Sequence, residues 1–283
     1  MNFLESMRRR GDLWSAADTE EKQKRLLYGW PRGTSENVIY MGGAQMMFAS
    51  NWNKCGRQVY CLSHSLAAMF ALTSAADLDA TKLPHGAFLV KIPRQFFPLL
   101  HSEIGNGPDT WLAVGQEMTL VIANAESTPH GLIRMPEDGK VCGRHMEETG
   151  QYEPELRSSS VLAGRMLANT LAYLSTHREH VTRVNSYSKA NKTNSVWNVA
   201  APKDVVINRE FREAAVSAVS GTMLGVRRAL AHHVRGHWRN QAVGANRAER
   251  RLTWIHPHKR GDESLGSVVM RIEKLVAMDA APP

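Results

Sequence analysis

Residues 227–260 read RRALAHHVRGHWRNQAVGANRAERRLTWIHPHKR. From His233 to Arg239, His and Arg alternate with Val234, Gly236 and Trp238. A period of two marks a half-buried β-strand, because successive strand side chains point to opposite faces. Residues 251–256, with Leu252, Trp254 and Ile255, form a second run, and Gly244 and Asn246 supply turn chemistry between the two. The stretch predicts a β-hairpin with a long basic loop over residues 240–250. Trp238 and Trp254 are its structural anchors, expected to meet as a cross-strand pair on the buried face, which adds about 0.5–1 kcal/mol. Pro257 has no N–H and Gly261 follows, so the second strand is expected to stop there.

The same stretch carries the charge. The 283-residue chain has 35 Lys+Arg and 27 Asp+Glu, a net +8. Residues 227–260 hold nine Lys+Arg against one acid, Glu249, so the remainder of the chain is balanced. Charge gathered this way is a footprint for an anionic partner. The candidate partner-binding residues are His233, Arg235, His237, Arg239, Arg247, Arg250, Arg251, His256, His258, Lys259 and Arg260. The plainer alternative is a solvated sheet face whose charges discourage edge-to-edge pairing. Solvated faces ordinarily mix signs, and this one hardly does.

Composition bounds the rest. Hydrophobic content of 43% and charged content of 22% fit a chain that buries a core. A pI near 9.6 points to nucleic acid before an anionic membrane surface. No apolar run approaches the roughly 20 residues that cross a bilayer. MNFLESMRRR lacks the apolar segment of a secretory signal. Cys55, Cys61 and Cys142 make neither an even framework nor a CxxC pair, so a reduced, cytoplasmic setting is expected. Cys142 and His145 have half of a zinc spacing without the other two ligands, so neither metal nor cofactor is expected.

The expected fold class is α+β: a helical N-terminal part over 1–82, a small antiparallel sheet and a long core helix over 83–184, a mobile loop over 185–195, and a C-terminal α+β region over 196–283 that ends in the basic hairpin. Helices are expected over 18–28, 45–52 and 64–74, the last capped by Ser63, with a turn at Gly42-Gly43. Strands are expected at 59–61, 88–92 (between Pro84 and Pro93), 118–123 and 132–135. Leu162, Met166, Leu167, Leu171 and Leu174 recur at helical spacing within 158–177, the clearest helix of the chain. Residues 185–195, NSYSKANKTNS, carry no acid and read as a loop. One or two strands follow over 196–207, anchored by Trp197. Further helices are expected over 209–219 and 268–278.

The string HHVRGHWRNQAVGANRAERRLTWIHPHKRG resembles the C-terminal signature of a phage- and plasmid-borne family whose best-known member is the second inhibitor described for type V-A CRISPR systems. The matching parts are the Arg/His strand ending in His237-Trp238-Arg239, the basic loop 244–251, and Trp254-Ile255-His256-Pro257 with its basic-Gly end. A weaker likeness covers the strand between Pro84 and Pro93. The resemblance implies a regulator of its target's biosynthesis, one that recognises a nascent N-terminal polypeptide and leads to loss of the mRNA.

Three functional expectations follow. The first is a non-catalytic mobile-element accessory protein, anti-CRISPR-like, that binds RNA, a ribonucleoprotein or a nascent chain through the hairpin. Arg and Lys would contact phosphates, with steep salt dependence. The second is a metal-independent ribonuclease, with His237 and His256 as base and acid and Arg239 at the phosphate. The third is a protein-binding inhibitor of a host or CRISPR effector protein, with no membrane role. A helix-turn-helix is disfavoured, because residues 209–225 lack a tight pair of short helices.

Overall fold

Strand β1 (Gln58–Leu62) is an interior strand of its sheet, hydrogen-bonded on both sides. A computed structural model describes residues 3–17, 19–28, 36–75, 81–93, 109–116, 118–122, 131–134, 140–141, 154–184, 194–202 and 232–260. Within these, β4 (Ala87–Ile92), β5 (Thr110–Gly115), β6 (Met118–Ile122) and β7 (Gly131–Arg134) form the expected antiparallel meander. The sheet is larger than the sequence indicates. β1 adds parallel to β4, β10 (Ser195–Val199) adds parallel to β1, and β9 (Val181–Arg183) closes that edge antiparallel. The order is β7-β6-β5-β4-β1-β10-β9, with strands drawn from the N-terminal, middle and C-terminal parts.

The sheet divides two apolar layers, and strand parity decides which residue serves which. Tyr60, Leu62, Phe88, Val90, Ile92, Leu112, Val114 and Val199 face one layer; Val59, Ala87, Leu89, Trp111, Ala113 and Ile122 face the other. Both faces are covered, so these strands read as nearly continuous apolar runs and not as clean alternations. The second layer is roofed by α1 (Phe3–Ala16) and α3 (Glu36–Lys54), with Met7, Phe48 and Trp52 fully or almost fully buried. A short helix, α2 (Glu20–Tyr28), begins two residues later than the expected helix over 18–28. Helix α3 runs straight through Gly42-Gly43, where a turn was expected. Both glycines are buried, and packing outweighs the roughly 1 kcal/mol each costs in a helix interior.

The first layer is roofed by α4 (His64–Ala71) and α5 (Pro154–Thr176). Ser63 caps α4, its hydroxyl accepting from Leu66 N at 3.2 Å. The chain leaves the helix at Leu72, earlier than expected, and Thr73–Ser74 become strand β2. Two further short strands, β3 (Thr81–Lys82) and β8 (Lys140–Val141), pair with each other. Ser195, assigned from sequence to a mobile loop, opens β10, because it pairs in register with Gln58. Of the rest of that loop, residues 185–193 lie outside the described residues, as do residues 203–207, the helices over 209–219 and 268–278, and Cys142 and His145.

On the core side of α5, Asn169 occupies a stripe position between Met166 and Tyr173 and is fully buried. Its amide donates to the carbonyls of Phe70 (3.3 Å) and Thr73 (3.1 Å), and its oxygen accepts from Trp238 Nε1 at 2.8 Å. Every arm of the side chain is thus used inside the apolar layer, where an unpaired polar group is costly. Replacing Asn169 with Leu leaves one donor and two carbonyls short of partners. Urea unfolding should show a loss of at least about 2 kcal/mol; a change under about 0.5 kcal/mol would mean the node does not hold this layer.

Candidate functional site

The basic stretch forms a two-stranded ribbon. β12 (Gly236–Val243) and β13 (Glu249–Ile255) pair antiparallel from His237↔Ile255 to Val243↔Glu249. The loop is shorter than the expected 240–250. It comprises residues 244–248, where Gly244 (φ 79), Asn246 (φ 55) and Arg247 (φ 57) take left-handed conformations that close the turn. Asn240 to Val243, Glu249 and Arg250 are strand residues. Beyond Pro257 the ribbon resumes: β11 (His232–Val234) pairs with β14 (His258–Arg260), His233 opposite Lys259. This second ladder keeps the register of the first. The interruption falls at Arg235 and Pro257, where the missing proline N–H breaks the hydrogen-bond row. The second strand therefore extends past the point at which the sequence predicts its end.

The ribbon is seated by its indoles. Trp238 stands opposite Trp254, and their rings stack at 5.7 Å, as the sequence predicts. Both are buried. Trp238 Nε1 is held by Asn169, and Trp254 Nε1 donates to Thr73 Oγ1 at 3.3 Å while that hydroxyl donates to Met69 O at 2.7 Å. Phe70 and Tyr173 pack against Trp254 at 5.4 and 5.6 Å. The backbone is also tied: Gly236 pairs parallel with Thr73, and Gly236 N donates to Leu72 O at 3.1 Å. A Cβ on Gly236 would lie 2.5 Å from Thr73 Oγ1 and 2.7 Å from Pro257 Cδ, so only glycine fits this close approach.

Parity sorts the candidate residues. Trp238 and Trp254 mark the core side, so Arg235, His237, Arg239 and Arg251 belong to the other face. Arg239 and Arg251 are exposed and diagonal across the two strands; Arg235 and His237 are half-buried. Arg250 is exposed but lies on the Trp side, beyond the core, and Arg247 sits in the turn. Among the described residues, Arg239, Arg247, Arg250 and Arg251 pair with no carboxylate. Of the second ladder, the backbone places His233, Lys259 and Arg260, and His258 is exposed. His256 is half-buried with its ring 4.6 Å from Trp254, on the core side. It therefore faces away from His237, and the acid–base pair required of a ribonuclease is not assembled.

A set of rings that the sequence does not single out lies under the ribbon. At the end of α5, His177 stacks on Tyr173 at 4.5 Å and meets Trp238 and Trp254 edge-on at 6.3 and 6.2 Å. Tyr173 OH donates to Ala200 O at 2.7 Å. Thr176 spends its proton on Ala172 O, so its oxygen accepts from His177 Nδ1 at 2.7 Å. Burial pushes the His177 pKa down, Glu179 partly opposes this, and His180, His256 and Arg251 add to the depression. His177 continues the core spacing of Asn169 and Tyr173, which is the signal that would have found it.

Among the described residues no group of three or more His, Cys, Asp or Glu side chains is arranged to hold a metal ion. No described helix is long and apolar enough to cross a membrane. Residues 60–258, more than half of the chain, match the model of the AcrVA2-like family, described as anti-CRISPR type V subtype A2. No curated protein matches the chain.

Two outcomes follow. Gly236→Ala should lift the ribbon from β2 at a cost of about 1–3 kcal/mol, read as faster amide exchange over 236–255 with exchange in β4 and β5 unchanged. His177 has a folded pKa below that of the unfolded chain, so its contribution is full above the ordinary histidine pKa and declines as pH falls through it toward the lower folded value. The melting temperature of the parent should therefore fall on acidification more steeply than that of His177→Gln; superimposable pH profiles would contradict this.

Proposed function

The chain belongs to the anti-CRISPR type V subtype A2 family, and on that premise we propose that it acts against a type V CRISPR effector complex through the outward face of its ribbon. The protein is anti-CRISPR-like, of the kind carried by phages and other mobile elements. Its counterpart in this reading is the effector as a ribonucleoprotein, engaged with its RNA or during its synthesis with the nascent chain. The observation that carries the reading is the exposed pair Arg239 and Arg251, which meets no carboxylate among the described residues, on a ribbon whose other side is anchored in the core. Cations presented on a fixed support bind an anionic surface without the entropy cost of ordering a loose tail. No residue of the ribbon is assigned a catalytic role.

The test uses the full chain, immobilised, and a type V-A effector complex with its guide. Parent protein should retain the complex at low salt and release it steeply as salt rises. The Arg239→Ala/Arg251→Ala double variant, with its tryptophan fluorescence unchanged, should retain at least about tenfold less. Equal retention by parent and variant would rule out the ribbon as the contact.

A further inference from the structure

The outward face of the ribbon has an order as well as a charge. Its axial levels run His237, Arg239, and then Arg251 beside Gln241. Same-face residues of a strand recur every roughly 6.8 Å, so His237, Arg239 and, on the neighbouring strand, Arg251 occupy three successive levels over about 14 Å. That step is comparable to one nucleotide of an extended strand, the geometry in which basic grooves follow a phosphate backbone. The next level holds Glu249 opposite Val243. Glu249 is exposed, and its carboxyl carbon lies 3.3 Å from where a Gly244 Cβ would be, so the bare, positive-φ glycine gives it room over the turn. The row of cations therefore has a defined end.

We propose that this face is a track for the phosphates of an unpaired RNA strand, about three nucleotides long and terminated at Glu249. The inference rests on the reading above that the partner is a ribonucleoprotein, and it names which part of that partner the ribbon meets. The half-buried His237 ring, one level before Arg239, is placed to stack on a base. A B-form major groove also admits a two-stranded ribbon seated by its inner face; the reading above, a ribonucleoprotein partner, favours RNA over that occupant. A-form RNA duplexes close their major groove to side chains altogether.

Fluorescence anisotropy with the full chain tests this, using a labelled oligouridine of about twelve nucleotides, RNA and DNA duplexes of equal length, and polyglutamate. Oligouridine should bind at least about tenfold tighter than either duplex or polyglutamate. Its log–log salt slope should be near about −1.4, as the two arginine contacts at roughly 0.7 each require. Arg239→Ala and Arg251→Ala should each flatten the slope by about 0.7. Arg250→Ala, on the other face, should leave it unchanged, and Glu249→Gln should tighten binding severalfold. Tryptophan fluorescence checks that each variant keeps its ribbon seated. A duplex or polyglutamate that binds as well as oligouridine, or an Arg250→Ala effect equal to that of Arg239→Ala, overturns the track. Retention of the effector complex through the same arginines, with no binding of oligouridine, overturns the track and leaves the counter-defence reading intact. Crosslinking in cells carrying the effector separates the sources: contacts of the ribbon with guide or with messenger RNA both support the track, and crosslinks confined to other parts of the chain overturn it.

Discussion

Two indole N–H groups must find partners inside an apolar layer, and the way they do so positions everything that faces the solvent beyond them. Trp238 reaches Asn169 and Trp254 reaches Thr73. Asn169 in turn holds the carbonyls of Phe70 and Thr73, at the point where α4 gives way to β2. One buried side chain thereby joins the long helix, the short helix's exit and the ribbon. Stacked rings alone would allow the ribbon to slide, since dispersion has no direction. The hydrogen bonds fix its register, and because side chains alternate, register decides which residues look outward. The exposed face of Arg239 and Arg251 is a consequence of where two tryptophan nitrogens point.

The legible parts of the fold were those with short-range signatures. The Leu162–Leu174 stripe, the strand between Pro84 and Pro93, the Ser63 cap and the Trp238–Trp254 pair each occupy a window in which spacing is informative. The rest depended on partners far away in the chain. Nothing near Gln58 announces Ser195 as its neighbour, and the sheet gains β1 and β10 only through that pairing. The Gly42-Gly43 pair looks like a break until its burial is known. Strand β5 was missed because TWLAVG, buried on both faces, shows no alternation.

At the ribbon, charge was legible and direction was not. The polar run Asn240-Gln241 reads as loop because no core lies under it, yet cross-strand pairing continues to Val243. His237 and His256 are equivalent in composition, and only the parity between them and the tryptophans separates their faces. Asn169 and His177 had a usable sign: polar residues recurring at the core spacing of an otherwise apolar stripe. A buried polar residue that saturates its hydrogen bonds is a specificity device as much as a stabilising one.

The order of pairing along the chain also sets an order in time. The meander β4 to β7 joins strands that follow one another in the chain, whereas β1–β10 and β2–β12 join segments well over a hundred residues apart. Distant pairings are entropically slow to find. During vectorial synthesis the helices and the meander emerge with Asn169 and Thr73 still waiting for their indoles. The charged face thus comes into being last, when the ribbon docks on a platform completed before it.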